Sequence, residues 1–208
     1  MLDHVTKVTP GAEPHLIFGS VRAVLPVRRR LAVLGRQGAG KSTLLALLAG
    51  TEPADGGWVR GKTKFSMVLN GGSFLYLGMS GIENAELLAR VYAMPPKRFV
   101  ELAMSLPGVP GDAWLNPIGE LPRRLRREIE ILLAALLPFD CFLLDDVDRM
   151  NKAVVLTLMK LLRSRGAGLI FTTFAPRFAR QYGDCGAVIA NRSLVVFDSV
   201  KEAEAYYG

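Results

Sequence analysis

Cysteine is scarce in this chain of 208 residues: only Cys141 and Cys185 are present. Two thiols build no disulfide framework, which excludes a small disulfide-stapled secreted domain and suits a reducing cytosol. Cys141 lies inside an apolar run and reads as a buried small hydrophobe. Long hydrophobic runs are also missing. A membrane-spanning helix needs about 18 uninterrupted apolar residues. The richest stretch, 129–144, is broken by Glu130, Pro138 and Asp140. The opening "MLDHVTKVTPGAEPH" carries no apolar signal core, so secretion is not expected. No repeat, low-complexity tract or dividing linker is found, and the length suits one α/β domain across 1–208.

What is present is a half-hydrophobic composition, enough for a sizeable core, and a net charge of +7. That charge fits anionic partners (phosphates, nucleic acid or an acidic membrane face) or a merely solvated basic surface. Along the chain, "HLIFGSVRAVL" reads as β-rich, "RLAVLG" as a short buried strand, and about 40–49 as a helix that Gly50 can end. "GGWVRGKTKFSMVL" suggests strands with turns. Helices are expected over "GIENAELLARVYAM", ended by Pro95 and Pro96, over about 96–106, and over "PRRLRREIEILLAALL" with Pro122 in the first turn. Then come strand "CFLLDD", helix "MNKAVVLTLMKLLRSRG", strand "GLIFTTF", hairpin "AVIANRSLVVFD" and closing helix "SVKEAEAYYG". Strands alternating with helices predict an α/β fold with a mostly parallel sheet covered on both faces. The all-helical stretch from about 81 to 137 interrupts the alternation and is expected to protrude as a helical subdomain.

Between a strand and a helix, Gly35-Arg36-Gln37-Gly38-Ala39-Gly40-Lys41-Ser42-Thr43 satisfies the P-loop pattern at every required position. Glycines let successive backbone N–H groups face phosphate oxygens, and the helix N-terminus adds its positive dipole end. Lys41 should reach the β- and γ-phosphates of ATP, and Ser42 should ligate Mg²⁺. Asp145, at the end of "FLLD", is the second candidate Mg²⁺ ligand. Asp146 beside it is the candidate that activates an attacking water.

On "GRQGAGKSTLLALLAG", "SGIENAELLARVYA", "PFDCFLLDD" and "LVVFDSVKEAEAYY" the chain resembles the ATP-binding subunits of ABC transporters. Within that family it is most similar to the subgroup that exports capsular polysaccharide across the bacterial inner membrane. The resemblance covers nearly the whole chain. It implies a P-loop NTPase with a mostly parallel sheet, an antiparallel β portion near the N-terminus and the helical subdomain. It also implies Mg-ATP as cofactor, a separate membrane-spanning permease docked around 75–80, and a homodimer or heterodimer of nucleotide-binding subunits. The chain would lie peripherally at the cytoplasmic face of the inner membrane, and no nucleic acid is expected.

Four family features are altered. The signature motif falls on Leu121-Pro122-Arg123-Arg124-Leu125, where the family uses serine and glycine against the γ-phosphate of the opposite subunit. The catalytic glutamate falls on Asp146, one methylene shorter. The switch histidine falls on Phe174, which cannot hydrogen-bond phosphate. The Q-loop glutamine falls near Leu75 or Tyr76, and the chain's only glutamines are Gln37 and Gln181. The aromatic that stacks adenine would be His15 or Phe18, the latter more simply a core residue. Phosphate and Mg²⁺ binding is therefore expected, and fast hydrolysis is not. Arg123 or Arg124 acting like an arginine finger is one reading of "RRLRRE", and a solvated helix face is the other. The alternative function is a degenerate regulatory or structural subunit with little or no hydrolysis. A small-molecule kinase and a nucleic-acid ATPase rank below both.

Overall fold

The computed structural model describes residues 1–9, 13–70, 74–147 and 150–208. The described strands are β1 (Leu2–Val8), β2 (Leu16–Ala23), β3 (Arg30–Leu34), β4 (Gly56–Val59), β5 (Phe65–Leu69), β6 (Cys141–Leu144), β7 (Gly168–Thr172), β8 (Cys185–Ala190) and β9 (Ser193–Phe197). The helices are α1 (Lys41–Ala49), α2 (Gly81–Val91), α3 (Pro96–Ser105), α4 (Arg123–Leu136), α5 (Lys152–Arg165), α6 (Pro176–Tyr182) and α7 (Val200–Tyr207). They fall into two compact units: Met1–Val68 with Asp140–Asp148 and Ala167–Gly208, and Leu69–Phe139 with Arg149–Gly166.

The first unit carries the larger sheet, in the order β5-β6-β7-β3-β8-β9. Strand β6 pairs parallel with β7, β7 with β3 and β3 with β8, and β9 returns antiparallel to β8. The central strands are apolar at nearly every position because both faces of the sheet are covered. Leu44, Leu45, Leu47 and Leu48 of α1 pack into one core with Val33, Leu143 and Ile170. Both cysteines belong to this core, and burial pushes the Cys141 thiol up to about 12 and raises that of Cys185. The expected α/β architecture is observed.

An antiparallel sheet, β2-β1-β4, lies in the N-terminal part. Strand β1 is not foreshadowed by alternation. Its buried residues Leu2 and Val5 are three apart, because the register against β2 shifts there and His4 adopts φ 51°. A bulge of this kind breaks the period of two on which strand reading rests. Helix α6 was likewise unforeseen, being a short turn of helix opened by Pro176.

In the second unit α2 ends before the two prolines. Its stop is Ala93 at φ 53°, with the Met94 N–H donating to the Ala89 carbonyl at 2.7 Å. Pro122 stands at the N-cap of α4, one place outside the helix expected to contain it. The Arg165 guanidinium donates to the Ala135 and Leu137 carbonyls at 2.5 and 2.6 Å, satisfying acceptors that the end of α4 leaves open. The helices expected over 81–137 lie in this unit, joined by α5.

Candidate nucleotide site

Strand β3 leaves the buried sheet at Leu34 and the chain curls through Gly35–Gly40 into α1. Gly38 and Gly40 adopt φ 76° and 97°, left-handed conformations that glycine enters without steric cost. At Gly40 space is as demanding as conformation: a Cβ would collide with Cγ2 of Ile17 and lie 3.3 Å from Cζ of Phe18. Helix α1 has no capping side chain and no acid in its first turn, so its terminal N–H groups are left for an anion.

Lys41 is only 6% exposed, and its Nζ donates to the carbonyls of Gly35 and Arg36 at 2.6 and 3.0 Å. The Phe174 ring centroid lies 3.9 Å from the same nitrogen. Ser42 Oγ donates to Asp145 Oδ2 at 2.6 Å. Thr172 Oγ1 donates to Asp145 Oδ1 at 2.5 Å and accepts from the Asp146 N–H at 2.8 Å. Thr172 was missed in the sequence. Parallel pairing of Leu144 with Phe171 is what sets it beside Asp145, and only the sheet order reveals that. Asp146 itself adopts φ 49°, a strained conformation for a residue with a Cβ.

These groups line one cavity of about 740 Å³, within the usual range for small-molecule sites. Residues 37–43, Asp145, Asp146, Thr172 and Phe174 share its lining with His15, Ile17 and the turn after β8. Gly35 and Arg36 do not line it, and act through the carbonyls that hold Lys41. Phe18 is buried in the core and is not part of the lining. No cluster of three or more His, Cys, Asp or Glu able to hold a metal occurs among the described residues. The adjacent Ser42 and Asp145 oxygens do fit Mg²⁺, which takes one or two protein oxygens and completes its shell with phosphate and water.

The remaining sequence candidates belong to the second unit. Leu75 is buried, whereas Tyr76, Leu77 and Met79 are exposed. Their loop is tied by Asn84, another residue the sequence did not single out. Its amide accepts from the Tyr76 N–H at 2.8 Å and donates to the carbonyls of Tyr76 and Ser80 at 3.0 and 2.9 Å. Arg123 and Arg124 open α4 on the surface, and Arg124 Nε bonds the buried Glu128 at 2.9 Å.

The fold is that of an ATP-binding cassette. A dimeric structure of a post-hydrolysis state of the ATP-binding cassette MJ0796 bound to ADP and Pi matches with a TM-score of 0.76. That match covers 93% of this chain and 95% of that one at 17% identity. By sequence the chain resembles the ATP-binding proteins of capsule polysaccharide exporters. It is 25% identical to the ATP-binding protein BexA of Haemophilus influenzae, over 92% of this chain and 89% of BexA. It is 24% identical to the capsule polysaccharide export ATP-binding protein CtrD of Neisseria meningitidis serogroup B, over 86% and 83%. It is 26% identical to the polysialic acid transport ATP-binding protein KpsT of Escherichia coli, over 99% and 97%. No family model matches the chain.

Proposed function

We propose that this chain is the ATP-binding subunit of a bacterial exporter of capsule-type polysaccharide. The observation that carries the reading is the intact phosphate end of the cavity. The left-handed glycines, the enclosed Lys41 and the uncapped start of α1 converge there with the Ser42–Asp145–Thr172 chain. In this reading residues 37–43 cradle the triphosphate, Gly35 and Arg36 hold Lys41 through their carbonyls, Lys41 neutralises the β- and γ-oxygens, and Ser42 with Asp145 holds Mg²⁺. The metal supplies charge neutralisation on the phosphates. His15 lies toward the base, and Asp146 orients the attacking water.

The partners follow from similarity and surface. No helix among the described residues is long and apolar enough to cross a membrane, so the span is assigned to a separate permease. The exposed Tyr76, Leu77 and Met79 on the loop tied by Asn84 form its docking point. The chain works as a homodimer or heterodimer, peripheral to the cytoplasmic face of the inner membrane. The second unit is then the helical subdomain of a single nucleotide-binding domain spanning 1–208.

A second reading, a regulatory subunit that binds ATP and hardly hydrolyses it, is favoured by Phe174 and Pro122 at positions where contacts to the γ-phosphate are expected. One measurement tests the site that both readings share, and a second separates them. Lys41→Ala should weaken fluorescent-nucleotide binding at least about tenfold, the scale of a lost charge-assisted contact; unchanged affinity would remove the site assignment. ATP turnover with a candidate permease in vesicles should exceed turnover by the chain alone. Equal, negligible rates in both would favour the regulatory subunit.

A further inference from the structure

The turn joining β8 to β9 consists of Asn191 and Arg192, with Ala190 paired to Ser193 across it. Both residues are left-handed, at φ 50° and 61°. That is the two-residue hairpin turn whose second position is ordinarily glycine, because a side chain there is disfavoured. Arg192 occupies the glycine position. Its carbonyl accepts from the Gly19 N–H at 2.9 Å, tying the turn to β2. Asn191 and Arg192 line the same cavity as the P-loop, and neither side chain has a hydrogen-bond or ion-pair partner among the described residues. Strain retained at a cavity wall, on a side chain with no structural partner, asks for a ligand.

Position indicates which part of the ligand. Val188 pairs with Leu34, the residue before the P-loop. Asn191, in the turn just past β8, is three residues beyond Val188, about 10 Å past the end of β3 at ordinary strand rise. Ile17 packs against Gly40, and His15 lies two residues before it. His15 is pinned by its own N–H donating to Thr9 Oγ1 at 2.8 Å and by its carbonyl accepting from the Thr9 N–H at 2.9 Å. The phosphate end already has Lys41 and the α1 N-terminus. Apart from Phe174 beside Lys41, the only ring in the described lining is the His15 imidazole. A flat guanidinium stacks on a nucleobase as an aromatic ring would.

Resting on the nucleotide reading above, we infer that the Asn191–Arg192 turn is the nucleoside-recognition element. Arg192 lies against the base face, with the His15 imidazole as the second surface and the Asn191 amide available to base or ribose edges.

The test compares ATP with inorganic tripolyphosphate on the intact chain by calorimetry. Arg192→Ala and Arg192→Lys should each weaken ATP about tenfold, the size of one lost base stack, and leave tripolyphosphate within about twofold. Arg192→Gly should raise the thermal midpoint, because glycine relieves the turn, while weakening ATP equally. That opposition of stability and affinity is not the mark of a merely structural residue. Equal losses for ATP and tripolyphosphate would make Arg192 a phosphate contact and overturn the inference, as would ATP affinity unchanged in all three variants. Either result leaves the nucleotide reading standing. A wild-type chain that binds neither ligand would overturn both.

Discussion

Lys41 Nζ lies 3.9 Å from the centroid of the Phe174 ring, while two P-loop carbonyls accept its hydrogen bonds. The ammonium is thus enclosed on several sides, and a triphosphate must draw it from the ring. A cation–π contact of this kind is worth about 0.5–2 kcal/mol. Phe174→Ala should therefore tighten nucleotide binding by a few-fold in a fluorescent-nucleotide titration. Weaker binding would instead mean that the ring holds the lysine where phosphate needs it.

Hydrolysis by the isolated chain should be slow. Phe174 offers no hydrogen bond where the resemblance calls for histidine, and one missing preorganised donor costs about a hundredfold or more in rate. Asp146 is also a methylene short of glutamate, and retraction of about 1 Å can cost a further hundredfold. Asp146→Glu together with Phe174→His should raise the steady-state ATPase rate above wild type. Brisk wild-type turnover that survives Asp146→Asn would place the water-activating group elsewhere.

Gly40→Ala should abolish nucleotide binding and lower stability by about 1–2 kcal/mol or more from the left-handed backbone alone. The added Cβ also meets Ile17. Ile17→Ala in the same chain should restore part of the thermal midpoint, since it removes the overlap and leaves the backbone strain. Full restoration would show that φ 97° at Gly40 costs little.

Arg30 and Asp184 join the starts of β3 and β8. Arg30 donates through its backbone N–H and Nε to Asp184 Oδ2, both at 3.0 Å. These bonds hold the Asp184 carboxyl below its ordinary value of 3.8. The folded state thus binds this proton more weakly than the unfolded chain. The stabilisation is present above that ordinary value and disappears as pH falls through the lower folded one. Unfolding curves of wild type and Asp184→Asn should be well separated at neutral pH and converge in acid. A constant separation down to low pH would assign the difference to packing.

Much of the candidate site was legible without coordinates. The spacing from Gly35 to Thr43 sets a glycine turn between strand and helix, and apolar runs ending in Asp145 or flanked by helices mark a buried parallel sheet. Both are local patterns, since backbone freedom at glycine and two-sided burial of a strand depend on near neighbours in the chain. Whole-chain resemblance supplied the family expectation, which the cassette fold matches.

The sequence alone therefore determined the α/β class, the glycine turn between β3 and α1 and the two consecutive acids after β6. Tertiary structure decided what those residues touch. Thr172 reaches Asp145 because β7 lies beside β6, twenty-seven residues away in the chain. Phe174 covers Lys41, and Arg192 enters the cavity of Lys41, across separations that no local periodicity encodes. Even β1 required its partners to be visible, because a bulge at His4 erased the alternation that pairing with β2 and β4 restores. Side chains meet across a sheet according to strand order and register, and those are fixed by packing of the whole core rather than by any one segment.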